Sequence, residues 1–385
     1  MQLPEPSADA LAHSAELLTR IRSEVRMEGW VSFARYMERA LYEPGLGYYS
    51  GGSRKFGEEG DFITAPGLTP LFGQTLAQQV ADIMALSAPH VLEVGAGTGM
   101  LAADVLGELE RLGQLPTHYD ILELSGELRA RQQATLQEQV PHLADRVRWL
   151  DTLPETFDGV VLANEVLDVM PAHLVVAKAD GLYERGVALA NDDSLTWADR
   201  PLAGRLAAAA AALDLPQPGE GEYLTEISLA ARAWIAEWAT RLRQGALLLI
   251  DYGYPAAEFY LPSRSRGTLL CYYRHRAHDD PFRWPGLTDI TVFVDFSALA
   301  DAAYDNGLDV LGYTTQAGFL FDCGILERLA QRGDTTSVDY IRAARAVHRL
   351  TTAQEMGELF KVLAVGRGVA EPLRGFLRHD RRAAL

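Results

Sequence analysis

From about Pro89 onward, apolar runs the length of buried strands alternate with stretches of helical periodicity. Pro89 to Val94, Tyr119 to Leu124, Arg146 to Leu150, Gly159 to Asn164 and Ala246 to Asp251 read as strands, with helices expected from Met100, from Gly126 and over Leu229 to Arg243. Continuous apolar strands separated by helices are the mark of a doubly wound parallel sheet covered on both faces. Further on, Phe296 to Asn306 reads as helix, Val310 to Thr315 as strand, Ile325 to Leu350 as mostly helix, and Leu359 to Gly366 as a final strand. Toward the N-terminus, Leu17, Ile21, Val25, Val31, Phe33 and Met37 recur at mostly helical spacing and predict two helices broken near Gly29.

Three stretches break the alternation. Tyr42 to Pro70 is rich in glycine, proline and aromatic residues and reads as a long ordered loop. Pro171 to Pro216 carries short alternating segments, His173 to Lys178 and Leu182 to Ala190, then an alanine-rich helix at Leu206 to Leu213, and reads as an insertion. Tyr254 to Asp289 reads as a second, irregular insertion rich in arginine and histidine. The expected organisation is an N-terminal helical and glycine-rich part (1–80), the first half of the core (81–170), an insertion (171–220), core (221–254), a second insertion (255–292) and the C-terminal part of the core (293–385), the insertions forming a partly separate lid over an acceptor cleft.

Composition narrows the function. With 48% apolar and 23% charged residues in 385, the chain has the proportions of a folded protein with a large core. A formal net charge of -17 disfavours nucleic acid as the main partner, because binding a phosphate backbone rests on Lys and Arg. Two cysteines, Cys271 and Cys323, make neither a disulfide framework nor a structural zinc site, so no metal is expected. The N-terminal residues lack a signal or transit pattern and no apolar run reaches membrane-spanning length, so a cytoplasmic protein without a membrane span is expected.

The run Val91-Leu92-Glu93-Val94-Gly95-Ala96-Gly97-Thr98-Gly99 lies between a buried strand and a helix. Such a turn brings a ligand to backbone N–H groups at the positive end of the helix. A dinucleotide site wants a third glycine where Met100 stands, which counts against a nicotinamide-dependent oxidoreductase. The G-x-G-x-G spacing, with Glu93 just before it, suits the zwitterionic end of S-adenosyl-L-methionine (SAM). Glu123, at the end of the next strand, stands where a carboxylate takes a ribose diol, and Leu150 and Asp151 should rim the adenine. Asn164, Glu165 and Asp168, after the fourth strand, fall where an acceptor should sit, and the two acids share a face if the segment turns helical. Carboxylates there can align a target nitrogen and accept its proton. The segment lacks the Asn/Asp-Pro-Pro-Tyr/Phe signature of many enzymes that methylate base amines and glutamine.

Several ordered motifs together resemble one family, the MidA-like group of SAM-dependent methyltransferases, which includes a mitochondrial complex I assembly factor. They are Gly47-Tyr48-Tyr49, the run Gly60 to Pro66, the Glu93 to Gly99 turn, the run Ala163 to Pro171, Ile250-Asp251-Tyr252-Gly253, the run Arg274 to His278, the run Pro285 to Thr291, Val294-Asp295-Phe296 and the run Met356 to Phe360. The resemblance covers most of the chain and implies a Rossmann-like class I fold and methylation of an arginine in a protein substrate such as a respiratory complex I subunit. It also places Asp61 and Thr64 near the cofactor, Asn164, Glu165 and Asp168 at the acceptor, and Asp251, Tyr252 and His275 along the same cleft. Read from the residues alone, Asp61 and Thr64 either bind a cofactor or close their own turn, and His275 and His278 are either bases or solvated side chains. Glu226 either orients a guanidinium or sits in a segment whose purpose is helix capping by Thr225 or Ser228. A non-catalytic protein-binding factor on the same fold is the main alternative, and a homodimer remains open.

Overall fold

The computed structural model describes residues 3–51, 64–218, 221–369 and 372–385. The chain divides into two compact units. One comprises Ile63–Leu167, Ile235–Pro255 and Val294–Leu385, the other Met1–Phe62, Asp168–Trp234 and Ala256–Phe293.

The first unit is built on an eight-stranded sheet. Seven strands, β1 (His90–Val94), β2 (His118–Leu122), β3 (Val147–Leu150), β4 (Phe157–Asn164), β5 (Leu242–Tyr254), β6 (Asp309–Thr315) and β7 (Phe360–Arg367), lie in the order β6-β7-β5-β4-β1-β2-β3; the short strand Val294–Asp295 joins β5. β5, β4, β1, β2 and β3 run parallel, as the apolar runs predict. β6 and β7 do not follow that expectation. β7 pairs antiparallel with β5 and with β6, so the sheet is mixed. An apolar run marks burial on both faces, which parallel strands under crossover helices require but which an antiparallel strand covered on both faces shares.

The central residues Val91, Ile121, Val160, Leu162, Leu248, Ile250 and Val362 are buried and join one core. Helix α1 (Pro70–Leu86) contributes Leu76, Val80 and Ile83 to it, and α2 (Met100–Arg111) contributes Leu101, Val105 and Leu106. Each such side chain is worth roughly 1.5–3 kcal/mol when removed from water. No helix is predicted from sequence over Pro70–Leu86, although Thr69 accepts a cap bond from Leu71 and Pro70 opens the first turn. A third helix, α3 (Gly126–Gln139), buries only Gln132 and Leu136.

The second unit contains a five-stranded sheet in which Gly181–Leu189 pairs with Val31–Ser32, His173–Lys178 and Leu195–Pro201, all antiparallel, and His173–Lys178 pairs with Tyr223–Ile227. The helix Ala8–Glu28 ends at Gly29, which is left-handed at φ 73°, and Ser32 caps the next helix, Phe33–Tyr42. Tyr254 to Asp289, expected to be irregular, holds a small three-stranded sheet, with Leu270–Tyr273 between Arg276–His278 and Asp289–Thr291. Its hairpin turns on Arg274 and His275, both left-handed at φ 47° and 59°. Without the Asn-Gly or Asp-Gly pair that such a turn favours, the sequence gives no hairpin signal. Among the described residues, no helix is long and apolar enough to cross a membrane.

Candidate active site

The chain leaves β1 through a turn in which Gly95, Gly97 and Gly99 all have positive φ (65°, 53° and 83°). The Gly95 amide donates to the Leu122 carbonyl at 3.1 Å, fastening the turn to the end of β2. Gly99 then begins α2 with no side-chain cap, unlike α3, whose first turn is capped by Ser125. An uncapped helix start offers N–H donors to an anionic group. A Cβ on Gly97 would meet no atom within 4 Å, whereas one on Gly99 would lie 3.0 Å from the Gln132 Cα. Gly97 thus borders open space, while Gly99 lets α3 pack closely against the turn.

Glu93 is buried, and its Oε2 accepts from the Tyr119 hydroxyl at 2.7 Å. Burial pushes its carboxyl up to about 7, the Tyr119 bond opposes that rise, and the charge of Glu123 adds to it. Glu123 follows β2 directly and is 8% exposed. Its Oε1 accepts from the Ser125 amide at 2.9 Å and its Oε2 from Gln132 Nε2 at 3.1 Å. Burial raises this carboxyl too, against the pull of those two donors.

The end of β3 is held by Arg129 of α3. Its Nε donates to the Glu123 carbonyl at 2.6 Å, and its Nη2 to the Leu150 carbonyl and to Asp151 Oδ1, both at 2.7 Å. Asp151 is therefore an exposed partner of Arg129. Neither Arg129 nor Gln132 was singled out from sequence. The available signal was their spacing of three, which puts two long polar side chains on one face of a helix that follows an acid-ended strand.

At the end of β4, Glu165 takes a left-handed conformation at φ 54°, and its amide donates to the Ile250 carbonyl at 2.8 Å. The side chain of Asn164 donates to Glu165 Oε1 at 3.1 Å. The segment does not turn helical after this point, so the expected helical face shared by Glu165 and Asp168 is not formed. The reason is visible next door: buried Asp251 accepts from the Leu167 amide through Oδ2 and from the Tyr252 amide through Oδ1, both at 2.9 Å, and holds the segment as a turn.

Asp168 itself falls in the second unit, buried, with its carbonyl accepting from the Val292 amide at 2.9 Å. His275 also belongs to that unit, exposed at the tip of its hairpin. Thr64 precedes the four-residue helix Ala65–Leu68 in the first unit and makes no side-chain cap bond. Asp61 lies outside the described residues. Glu226 is committed to its own unit: its carboxylate accepts from the Thr268 amide at 2.7 Å, the Thr268 hydroxyl and the Leu269 amide at 3.0 Å. Ser228 caps the following helix through the Ala231 amide. The structural account of that segment therefore prevails over a guanidinium-orienting Glu226.

Comparison with known proteins gives this geometry its chemistry. Residues 73–314 match the S-adenosyl-L-methionine-dependent methyltransferase family Methyltransf_28. A crystal structure from Burkholderia thailandensis, bound to S-adenosyl-homocysteine, is 49% identical and superposes with a TM-score of 0.95 over the whole of both chains. The protein arginine methyltransferase NDUFAF7 of Rattus norvegicus is 30% identical over 92% of this chain and 85% of its own, and the NDUFAF7 homolog of Drosophila melanogaster is 29% identical over 95% and 88%. Both are named as mitochondrial proteins, which overturns the cytoplasmic expectation. The open space beside Gly97, the uncapped start of α2 and the buried Glu123 fit SAM, and the nicotinamide and non-catalytic readings fall away. The chain belongs to the Methyltransf_28 family of SAM-dependent methyltransferases.

Proposed function

We propose that this methyltransferase modifies an arginine side chain of a protein substrate. The observation that carries the proposal within the chain is Glu165, whose carboxylate accepts from the Asn164 side chain and whose backbone N–H donates to the Ile250 carbonyl, at the carboxyl end of β4, where open α/β sheets bind their ligands. The names of the relatives, protein arginine methyltransferases, supply the acceptor. A left-handed glutamate costs of order 1–3 kcal/mol and is retained only where its surroundings over-determine it.

Bound SAM supplies a methyl group made electrophilic by the adjoining sulfonium. The Gly95 to Gly99 turn and the start of α2 bind its amino-acid end, Glu93 shapes the turn from beneath, and Glu123 takes the ribose hydroxyls. Leu150 and Asp151 border the adenine, and Thr64 lies toward the cofactor. Glu165 orients the guanidinium, concentrates the lone pair on the attacking nitrogen and receives the proton that nitrogen loses. Asn164 keeps the Glu165 carboxylate aimed. Asp168 and His275, in the second unit, are given no part in this step.

The test is methylation of arginine-containing protein with methyl-labelled SAM, read by mass spectrometry. Glu165→Gln should lower kcat by about 10²-fold, the usual worth of a general base, with binding of S-adenosyl-homocysteine changed less than about twofold. Wild-type turnover in Glu165→Gln would remove the assignment, and labelled product on a residue other than arginine would remove the substrate.

A further inference from the structure

Gln132 is completely buried, an unusual place for a glutamine, on a helix that buries only one other residue, Leu136. Every polar hydrogen and one acceptor site of its amide are engaged. Nε2 donates to the Gly97 carbonyl and to Glu123 Oε2, both at 3.1 Å, and Oε1 accepts from Trp149 Nε1 at 2.8 Å. One side chain therefore joins the glycine turn after β1, the acid after β2 and the indole of β3.

The chemistry of the indole decides the orientation. Trp Nε1 can only donate, so it must face the amide oxygen, and the NH₂ group is thereby turned toward Gly97 and Glu123. Were the amide reversed, its oxygen would point at the carboxylate and at a carbonyl, two acceptors facing an acceptor. With the amide as found, Glu123 accepts from Ser125 N on Oε1 and from Gln132 Nε2 on Oε2, and the Leu124 amide is a third donor to the same carboxylate. A carboxylate has about four acceptor sites, so Glu123 keeps acceptor capacity for a ligand hydroxyl beside these donors.

We propose that Gln132, its amide oriented by Trp149, is a positioning residue for the cofactor, holding the Glu123 carboxylate aimed while fixing the Gly97 carbonyl. The inference rests on the reading that Glu123 receives the ribose diol. The other charged groups near Glu123 are Glu93 from β1, whose own carboxyl the Glu123 charge pushes up, and Arg129 from α3, which favours ionisation of Glu123. Loss of the Gln132 donors removes one of the forces opposing burial, so the ionised form becomes harder to reach.

The test is calorimetric titration of S-adenosyl-homocysteine into the full-length protein and its Gln132→Glu, Trp149→Phe and Glu123→Ala variants, across pH, with thermal melting of each apoprotein as a control. Gln132→Glu retains size and the acceptor for Trp149 but sets a carboxylate against Glu123. It should weaken binding about tenfold, the equivalent of one net hydrogen bond to a charged group. Trp149→Phe leaves the amide oxygen without its donor and loosens the side chain, and should weaken binding severalfold while moving the loss of affinity at low pH to a higher pH. In turnover assays both variants should raise the KM for SAM and leave kcat within about twofold. Should Gln132→Glu fail to fold, Trp149→Phe carries the test alone. Wild-type affinity and an unmoved pH profile in the folded variants, with binding lost in Glu123→Ala, would overturn the proposal and spare the ribose reading. Wild-type affinity in Glu123→Ala would overturn both.

Discussion

The Tyr119 hydroxyl donates to Glu93 Oε2 across 2.7 Å, from one parallel strand to the next, beneath the glycine turn. It is the compensation that lets a carboxyl lie buried where the turn needs support. The compensation is incomplete, since the carboxyl still sits at about 7 against an ordinary 4.5.

That difference has a defined sign. A carboxyl raised on folding favours the native state below about 4.5, and the advantage is lost as pH rises to about 7, above which the native and unfolded chains both ionise. Across this window Glu93 should cost of order 3 kcal/mol of stability. Urea denaturation of Glu93→Gln should show a smaller fall in stability between pH 4.5 and 7 than the wild type; parallel profiles would refute the assignment.

Tyr119→Phe should act in the complementary direction. Removing the donor leaves a buried acceptor unsatisfied at a cost of about 1–3 kcal/mol, and more of that cost should appear at pH 8 than at pH 5, because the ionised Glu93 depends more on the bond. An equal loss at both pH values would mean that the hydroxyl contributes nothing specific to the charge.

Arg274 and His275 form a two-residue hairpin turn, flanked by the cross-strand pair Tyr273 and Arg276, with both turn residues at positive φ. Replacing them together by Asn-Gly relieves that conformation and should stabilise the protein by about 0.5–1 kcal/mol. A fall in melting temperature would show that the Arg274 and His275 side chains hold the hairpin more strongly than the backbone opposes it.

Gly267 and Glu226 are coupled in the second unit. Gly267 has φ +69°, and a Cβ there would fall 2.2 Å from Glu226 Oε1. Gly267→Ala should therefore destabilise by more than about 1 kcal/mol in the wild type, and by less in a Glu226→Ala background where the obstructing oxygen is gone. Equal effects in both backgrounds would place the whole cost in the backbone conformation.

What the sequence revealed divides along physical lines. The parallel strands and the turn at Gly95 to Gly99 were legible because buried strands and glycine-dependent turns each leave a local pattern. Strand direction at β6 and β7 left none, because the same apolar run serves either orientation. The hairpin at Arg274 was hidden because its turn uses residues that do not favour positive φ. Glu93, Glu123 and the glycines stand out in the sequence by their spacing, whereas Gln132, Arg129, Tyr119 and Trp149 carry no motif that singles them out. Their contacts join α3 to the ends of β1, β2 and β3, and β2 to β1 through Tyr119, and no local pattern encodes them. Glu226 shows the reverse case, in which an acid that looked available from sequence is bound to the backbone of Thr268 and Leu269.

The central claim, that the turn after β1 and Glu123 after β2 hold the methyl donor, is tested most directly by titrating S-adenosyl-homocysteine into the purified protein and into Glu123→Ala, with NAD as the comparison ligand. The account predicts saturable binding of S-adenosyl-homocysteine and none of NAD, and an affinity about 10-fold or more weaker in the variant, since two hydrogen bonds to a charged group are removed. Equal affinity in the two proteins, or preferential binding of NAD, would contradict it.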